Sequence, residues 1–219
     1  HFYQTFGTEV TLIEALPNIL PIEDDEISTE LEKIFKKHKM NILTNTKVDK
    51  IEQLKTKVKV HLHGGEILEA EKALIAVGVQ GNIEDMGLEE CNIAVEKGWI
   101  QKNEFMETSQ KNVFAIGDVA GPPWLAHKAS AEGIIAVEHI SGLAPEPMRY
   151  DNIPGCTYCH PEVASVGLTE KIALEQGYKL KIGKFPFRAL GKSMAVGDTD
   201  GFVKVIYDAK YGEMLGCHI

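Results

Sequence analysis

A chain of 219 residues with a formal net charge of −9 has room for one large domain or two small ones. Its 44% hydrophobic and 25% charged residues are typical of a globular protein and exclude a disordered or fibrous chain. The acidic balance argues against a nucleic-acid partner, and no apolar run approaches the roughly 18 residues of a membrane span.

The first third of the chain begins with alternating helix and strand patterns. Residues 1–7 are typical of the tail of a helix, and residues 10–13 form a short apolar strand that ends at Glu14. A helix is predicted over residues 24–39, because apolar side chains recur there at helical spacing and the charges at both ends favour the helix dipole. This order is that of a βαβ unit.

A series of strands follows this helix. Alternating patterns predict a hairpin that turns at Gly64-Gly65, and an apolar run predicts a buried strand over residues 73–77 that ends at Gly78. The other strands predicted in this region cover residues 41–43, 48–54, 58–62 and 66–70.

The most informative segment runs from residue 108 to residue 131. Four apolar residues, 113–116, predict a short buried strand that leads into Gly117-Asp118. Glycine permits a close backbone approach to a ligand, and Asp118 places one carboxylate at the end of the strand. An apolar run over residues 125–140 predicts the helix that follows. Together these elements predict a ligand crevice at the carboxyl end of a strand in an α/β sheet.

The last third of the chain has a different pattern. Residues 142–154 contain three prolines and predict a connection between domains. An extended segment near residues 156–166 and a helix over residues 169–176 follow. Further strands are predicted near residues 179–187, 201–207 and 213–219. This part is therefore predicted to be α+β with an antiparallel sheet.

The cysteines give no metal or redox site. Of the four, only Cys156 and Cys159 are close together, as Cys-x-x-Cys, and a zinc site needs a second pair that the sequence lacks. Residues three apart in a strand point to opposite faces, which disfavours a disulfide between these two cysteines. They are predicted to be reduced structural thiols, and no metal is expected.

Glu14 is the second candidate ligand contact. In a dinucleotide-binding βαβ unit, an acid at the end of the second strand binds the adenosine ribose about 20 residues after a glycine fingerprint. Counting back places that fingerprint roughly six residues before His1. Because an acid here repels a 2′-phosphate, Glu14 favours NAD over NADP.

Several long segments resemble the pyridine nucleotide–disulfide oxidoreductases. They are VTLIEALPNILP, VFAIGDVAGPPWLAHKASAEG, CHPEVASVGLTE and FRALGKSMAVGDTDGFVKVI. The resemblance covers essentially the whole chain. It implies an α/β, Rossmann-like FAD/NAD(P)-binding region followed by an α+β interface or dimerisation domain, both incomplete. The implied domains are an NAD-binding domain at 1–80, the returning part of an FAD-binding domain at 81–148, and the interface domain at 149–219.

The resemblance also implies roles for individual residues. Asp118 corresponds to the aspartate that bonds the ribityl chain of FAD, and Val48 and Gly78 correspond to positions beside NAD. The family has arginine and proline after this glycine, whereas the present sequence continues Val79-Gln80, so only the glycine contact is carried over. The residues that correspond to the backbone against the flavin ring are Trp124, Leu125, Ala126 and His127.

No catalytic residue is predicted within the chain. The setting of His160 resembles a strand of the interface domain and not the family's C-terminal catalytic histidine, so His160 is predicted to be structural. The sequence contains neither a Cys-x-x-x-x-Cys redox pair nor a glycine-rich fingerprint. The chain is therefore expected to be a segment lacking both termini, inactive on its own.

The resemblance implies that the intact protein oxidises dihydrolipoamide with NAD⁺, through a redox disulfide and FAD. A homodimer and lipoyl domains of 2-oxo acid dehydrogenase complexes are the implied partners, and the cytoplasm is the implied compartment, with a mitochondrion or plastid as the alternative. Two other hypotheses stay open. One is a glutathione- or mercuric-reductase-like enzyme of the same family, and the other is a non-catalytic nucleotide-binding or dimerisation module.

Overall fold

The computed structural model describes all 219 residues. The helices are α1 (Phe2–Thr5), α2 (Asp25–Lys37), α3 (Ala126–Ile140), α4 (Glu170–Glu175) and α5 (Gly191–Val196). The strands are β1 (Thr11–Ile13), β2 (Asn41–Leu43), β3 (Val48–Gln53), β4 (Val58–Leu62), β5 (Ile67–Ala70), β6 (Val95–Glu96), β7 (Trp99–Ile100), β8 (Gly155–Thr157), β9 (Val163–Gly167), β10 (Leu180–Pro186), β11 (Phe202–Asp208) and β12 (Met214–His218). Short 3₁₀ turns span Gly117–Ala120, Tyr150–Asn152 and Phe187–Ala189.

The chain divides into two compact units. The first unit combines His1–Leu74 with Pro154–Ile219, and the second is Ile75–Ile153. The first unit is thus built from two separate stretches of sequence. The domain limits predicted at residues 80 and 148 stay predictions. None of the helices has the length and apolar character needed to cross a lipid bilayer.

A βαβ arrangement opens the first unit, as predicted. Strands β1 and β2 pair in parallel, with Leu12 opposite Ile42, and α2 connects them. The Asp24 side chain caps α2 by accepting a hydrogen bond from the Glu26 N–H at 3.1 Å. The apolar face of α2 packs into a buried cluster of Ile27, Leu31, Phe35, Met40, Ile42 and Val163. This packing places Glu14 at the carboxyl end of a parallel strand.

The predicted hairpin is also present in the first unit. Strands β3, β4 and β5 form an antiparallel sheet in that order. The turn between β4 and β5 contains Gly64 and Gly65, whose φ angles of +102° and +95° are those that glycine adopts without strain. Val48 begins β3 opposite Leu62.

The second stretch of the first unit forms an antiparallel sheet of five strands in the order β10-β11-β12-β9-β8. This confirms the α+β prediction for the last third of the chain. The extended segment predicted near residues 156–166 is in fact two antiparallel strands, β8 and β9. The turn between them contains Pro161, which lacks the N–H that a continuing strand would donate.

Two glycines face each other across β9 and β12. Gly167 and Gly216 are register partners. A Cβ atom at Gly216 would lie 2.1 Å from the carbonyl oxygen of Leu168. A Cβ atom at Gly167, where φ is +82°, would lie 2.3 Å from the carbonyl oxygen of Leu215. The close approach of these strands therefore depends on glycine at both positions.

A buried ionic cluster joins the two stretches of the first unit. Lys204 of β11 is 1% exposed, and its Nζ donates to Asp24 at 2.8 Å, to Glu26 at 2.7 Å and to Glu170 at 2.6 Å. Burial lowers the pKa of Lys204, but the three carboxylates outweigh this effect and raise it above its usual value. Asp24 thus caps α2 and anchors Lys204 with the same carboxylate.

The second unit contains α3 and the β6–β7 hairpin. Its apolar core consists of Ile100, Ala115 and Ala120, with Ile83, Leu88, Ile93 and Val119 packed against them. The helix predicted over residues 125–140 is confirmed as α3. Its N-cap residue is Leu125.

Two predicted strands of this region are wrong. Residues 73–77 form no strand, and Leu74 and Val77 are 80% and 93% exposed. Residues 113–116 are extended but make only one isolated bridge, between Phe114 and Glu107, although Ala115 is buried as predicted. An apolar run becomes a strand only when another strand satisfies its N–H and C=O groups, and no strand of this chain pairs with either segment.

Candidate functional site

The candidate flavin contact lies on the loop from Gly117 to Gly121. Both glycines have positive φ angles, +74° and +94°, and a Cβ atom at Gly121 would lie 3.0 Å from the Trp99 ring. The two glycines therefore let the loop turn tightly above β7. Asp118 is on this loop, and its carboxylate is exposed and forms no ion pair. It is available to accept hydrogen bonds from a ligand.

Two buried side chains of α3 hold this loop. The Lys128 Nζ donates to the carbonyl oxygens of Gly117 at 3.0 Å and Gly121 at 2.8 Å. The Glu132 carboxylate accepts a hydrogen bond from the Gly117 N–H at 2.7 Å and pairs with Lys128 at 3.1 Å. Both side chains are fully buried. Backbone groups at both ends of the Asp118 loop are therefore fixed by one charged pair.

The second oxygen of Glu132 has partners from two other segments. Tyr150 donates its hydroxyl to this oxygen at 2.6 Å, and Lys102 forms an ion pair with it. Burial raises the pKa of Glu132, but the hydrogen bonds from Lys102, Tyr150 and the Gly117 N–H outweigh burial and hold it below the usual value. Burial and the neighbouring carboxylate raise the pKa of Tyr150, which keeps its hydroxyl protonated as a donor.

The N-terminus of α3 adds hydrogen-bond donors beside this loop. Leu125 is the N-cap and supplies no side-chain cap, while Ala126 and His127 at the start of the helix are exposed. Trp124, just before the cap, is 37% exposed. The first N–H groups of a helix and its positive dipole end favour an electron-rich partner. An exposed carboxylate next to such donors fits a ligand that carries both hydroxyls and an electron-rich ring, as FAD does.

The candidate NAD contacts are placed as follows. Glu14 follows β1 and is half-buried, and its Oε1 accepts a hydrogen bond from the Leu16 N–H at 2.8 Å. That bond fixes the carboxylate and leaves further acceptor capacity for a ribose hydroxyl. Val48 is 40% exposed at the start of β3 in the same unit. Gly78 belongs to the second unit, where its φ of +129° is a glycine conformation in open space.

Comparison with known proteins decides the family. The family model of the pyridine nucleotide-disulphide oxidoreductases matches residues 1–133, and the model of their dimerisation domain matches residues 153–219. The chain belongs to this family. A dihydrolipoyl dehydrogenase of Rhizobium etli is 44% identical over 100% of the chain, and one of Bacillus subtilis is 46% identical over 98%.

Solved structures of this oxidoreductase family share the fold. LpdA of Mycobacterium tuberculosis matches 99% of the chain with a TM-score of 0.90 at 24% identity. The HOCl-induced flavoprotein disulfide reductase RclA of Escherichia coli matches 99% with a TM-score of 0.90 at 28% identity. The chain spans about half the length of its relatives, 46% of both dihydrolipoyl dehydrogenases, 47% of LpdA and 50% of RclA. The Rossmann-like region and the sheet-rich dimerisation domain predicted from sequence are thus confirmed.

The first unit contains His160 and three of the cysteines, Cys156, Cys159 and Cys217. The fourth cysteine, Cys91, is exposed in the second unit. All four cysteines are free thiols. Burial raises the pKa of Cys159, which makes it a weak nucleophile at neutral pH. The His160 side chain is 64% exposed and lies 3.9 Å from an oxygen of Asp198. The structural roles of Cys156, Cys159 and His160 stay predictions.

Sequence reasoning missed the four charged or polar residues under the Asp118 loop. Lys128 and Glu132 are four residues apart on α3, a spacing that is usually an exposed helix pair. Their spacing was the available signal, but it does not reveal burial. Lys102 and Tyr150 reach the same carboxylate from 30 and 18 residues away, so no local pattern connects them.

We expect the protein to lose stability in acid. The pKa values of Asp24, Glu26 and Glu132 lie below the usual 3.8 for Asp and 4.5 for Glu. The unfolded chain then takes up protons at a higher pH than the folded protein, so stability is present above these usual values and is lost as the pH falls through the lowered ones. Thermal unfolding followed by circular dichroism from pH 3 to pH 8 measures this loss.

A matched pair of variants tests the part of Glu132 in this acid sensitivity. Glu132→Gln removes its titration, so melting temperature should depend less on pH below about 4.5 than in the parent protein. Glu104→Gln changes an exposed glutamate of the same unit and should leave the pH profile as it is. Equal profiles for the parent protein and Glu132→Gln would contradict the assignment.

Proposed function

We propose that the protein acts as a dihydrolipoyl dehydrogenase, which oxidises dihydrolipoamide and reduces NAD⁺ through a redox disulfide and FAD. The observation that carries the proposal is a sequence identity of 41–46% to dihydrolipoyl dehydrogenases over 98–100% of the chain. Within that family match, the exposed Asp118 carboxylate and the uncapped start of α3 supply the donor and acceptor set that a flavin needs. The proposal assigns cofactor binding, and no catalytic residue, to these residues.

On the flavin side, Asp118 would accept hydrogen bonds from the ribityl hydroxyls. The backbone from Trp124 to His127, with Leu125 and Ala126 between them, would face the ring, and the dipole of α3 favours negative charge at its edge. When bound, FAD accepts two electrons from a dithiol and passes them as hydride to NAD⁺. The buried Lys128 and Glu132 hold the loop that presents Asp118.

In the NAD site, Glu14 would accept hydrogen bonds from the adenosine ribose. Its position at the carboxyl end of a parallel strand is the ligand-binding edge of such sheets. A fixed carboxylate there repels a 2′-phosphate, so NAD is the proposed nucleotide in preference to NADP. Val48 beside the adenine and Gly78 near the nicotinamide complete the proposed contacts.

The proposed assembly is a homodimer through residues 149–219, supported by the match to the dimerisation domain at residues 153–219. Lipoyl domains of 2-oxo acid dehydrogenase complexes are the proposed partners, and the bacterial cytoplasm is the proposed compartment, supported by the bacterial dihydrolipoyl dehydrogenases that the chain matches. A second candidate is another disulfide reductase of the family. The similarity to RclA, at 28% identity and a TM-score of 0.90, favours keeping it.

An activity assay separates these candidates. The protein is produced from its complete reading frame, and its flavin absorption and its reduction of NAD⁺ by dihydrolipoamide are measured. A yellow protein that reduces NAD⁺ with dihydrolipoamide and does not use NADPH with glutathione disulfide is expected. Turnover with NADPH and another disulfide would instead favour the second candidate, and a protein without flavin would contradict both.

Asp118→Ala tests the flavin contact directly. Hydrogen bonds to a charged group contribute about 1.5–3 kcal/mol, so the FAD dissociation constant should rise roughly 10- to 100-fold. Quenching of flavin fluorescence during titration of the FAD-stripped protein measures this change. Glu104→Ala, which removes an exposed carboxylate elsewhere in the second unit, is the control and should leave FAD affinity as it is.

A further inference from the structure

The charges under the Asp118 loop are unusual for the interior of a protein. Two lysines and one glutamate meet there, and the exposed fraction is 0% for Lys128 and Glu132 and 11% for Lys102. Lys128 lies in the first turn of α3, where the helix dipole disfavours a positive charge. An apolar trio of similar size would fill the same space without burying charge. Packing alone therefore does not explain these side chains.

Lys128 and Glu132 both bind the backbone of one loop, and Lys102 reaches that loop only through Glu132. Every direct backbone contact of Lys128 and Glu132 in the cluster goes to Gly117 or Gly121, the two glycines that flank Asp118. Glu132 accepts from the N–H of Gly117, and Lys128 donates to the carbonyl oxygens of both glycines. Since glycine has more conformational freedom than other residues, these three bonds restrain the backbone of the loop that carries Asp118.

Tyr150 is a rigid side chain that binds the Glu132 carboxylate. Its hydroxyl donates to Glu132 at 2.6 Å, on the oxygen that Lys102 also contacts. Lysine has a long flexible side chain, whereas a tyrosine ring has only two side-chain torsions. Tyr150 also begins a 3₁₀ turn, Tyr150–Asn152, in the segment that follows α3. The orientation of the Glu132 carboxylate therefore depends on a residue from outside the loop and its helix.

We propose that Glu132 and Tyr150 are positioning residues for FAD, which act by holding the Gly117–Gly121 loop so that Asp118 is preset for the ribityl chain. This inference rests on the proposed function. Neither residue touches the flavin in this proposal, and both act through Asp118. Lys128 secures the carbonyl oxygens of the same loop.

A double-mutant cycle tests the inference on the protein produced from its complete reading frame. Tyr150→Phe keeps the ring and removes only the hydroxyl, so the fold should persist. The FAD dissociation constant should rise about 3- to 10-fold, and more in Glu132→Gln. In an Asp118→Ala background, Tyr150→Phe should cause no further loss, because its effect passes through Asp118. Tyr158→Phe, at a tyrosine that is 86% exposed, is the matched control.

Hydrogen exchange separates a failure of this inference from a failure of the proposed function. The Gly117 amide should exchange faster in Tyr150→Phe and Glu132→Gln, since its bond to Glu132 is weakened. Unchanged Gly117 exchange, or equal losses of FAD affinity with and without Asp118, would overturn the positioning role. An FAD affinity that Asp118→Ala leaves unchanged would instead contradict the proposed flavin contact, while faster Gly117 exchange still supports the hold on the loop.

Discussion

Replacing Lys204 with methionine lowers the free energy of unfolding by about 3–5 kcal/mol, the usual effect of removing one partner from a buried ion pair. Methionine has nearly the length of the lysine stem, so the loss arises from charge and not from packing. Asp24, at 3% side-chain exposure, is left buried without its counter-ion, and Glu170 loses its cation as well, while Glu26 keeps its ion pair with Lys184. Urea unfolding followed by circular dichroism measures the change.

Lys181→Met is the matched control for this variant. Lys181 lies on β10, the strand that pairs with β11, and it is exposed and forms no ion pair. Its replacement should change stability by no more than about 0.5 kcal/mol, as surface substitutions usually do. A Lys204→Met protein that is as stable as Lys181→Met would show that the cluster contributes nothing to folding.

Gly216→Ala is expected to destabilise the dimerisation domain by about 3 kcal/mol, the upper end of the usual range for overpacking a dense interior. The added methyl group would stand 2.1 Å from the carbonyl oxygen of Leu168, which is backbone and has no rotamer into which to move. The strands β9 and β12 must then separate, which weakens the hydrogen bond from the Leu168 N–H to the Leu215 carbonyl, 2.8 Å long in the parent protein. Calorimetry should record a lower melting temperature.

A second glycine of the same sheet provides the control. Gly155 lies on β8, and a Cβ atom there would meet nothing within 4 Å. Its replacement by alanine reduces the freedom of the unfolded chain without a clash, so stability should stay within about 1 kcal/mol of the parent or rise. Similar losses in both variants would mean that the close approach of β9 and β12 is not the cause.

Sequence patterns were sufficient where the cause of a structure is local. The helix α2 follows from its apolar spacing and its Asp24 cap, the hairpin from Gly64 and Gly65, and α3 from its apolar run. The same reasoning failed for residues 73–77, because a strand requires partners that an apolar run does not specify. The α5 helix was also missed, since it begins with Gly191, a poor helix former.

Sequence patterns likewise indicated only part of the candidate site. Asp118 could be proposed as a flavin contact because an aspartate after an apolar segment and a glycine is a recognisable local pattern. The residues that hold its loop were not found, because Lys102, Glu132 and Tyr150 become neighbours only through the fold. In this chain the proposed ligand contacts have a local sequence signal, whereas the buried residues that hold the Asp118 loop have none.

The cluster around Lys204 has a consequence for protein synthesis. Lys204 and Asp24 are 180 residues apart in the chain, and the stretch between them includes the whole second unit. At a translation rate of 5–20 residues per second, roughly 9–36 s pass between the synthesis of the carboxylate and that of its counter-ion. During that time the apolar face of α2 also lacks Val163 of β9. The helix α2 is therefore synthesised well before the residues that complete its ionic and apolar contacts, and these contacts form only after the second unit has been made.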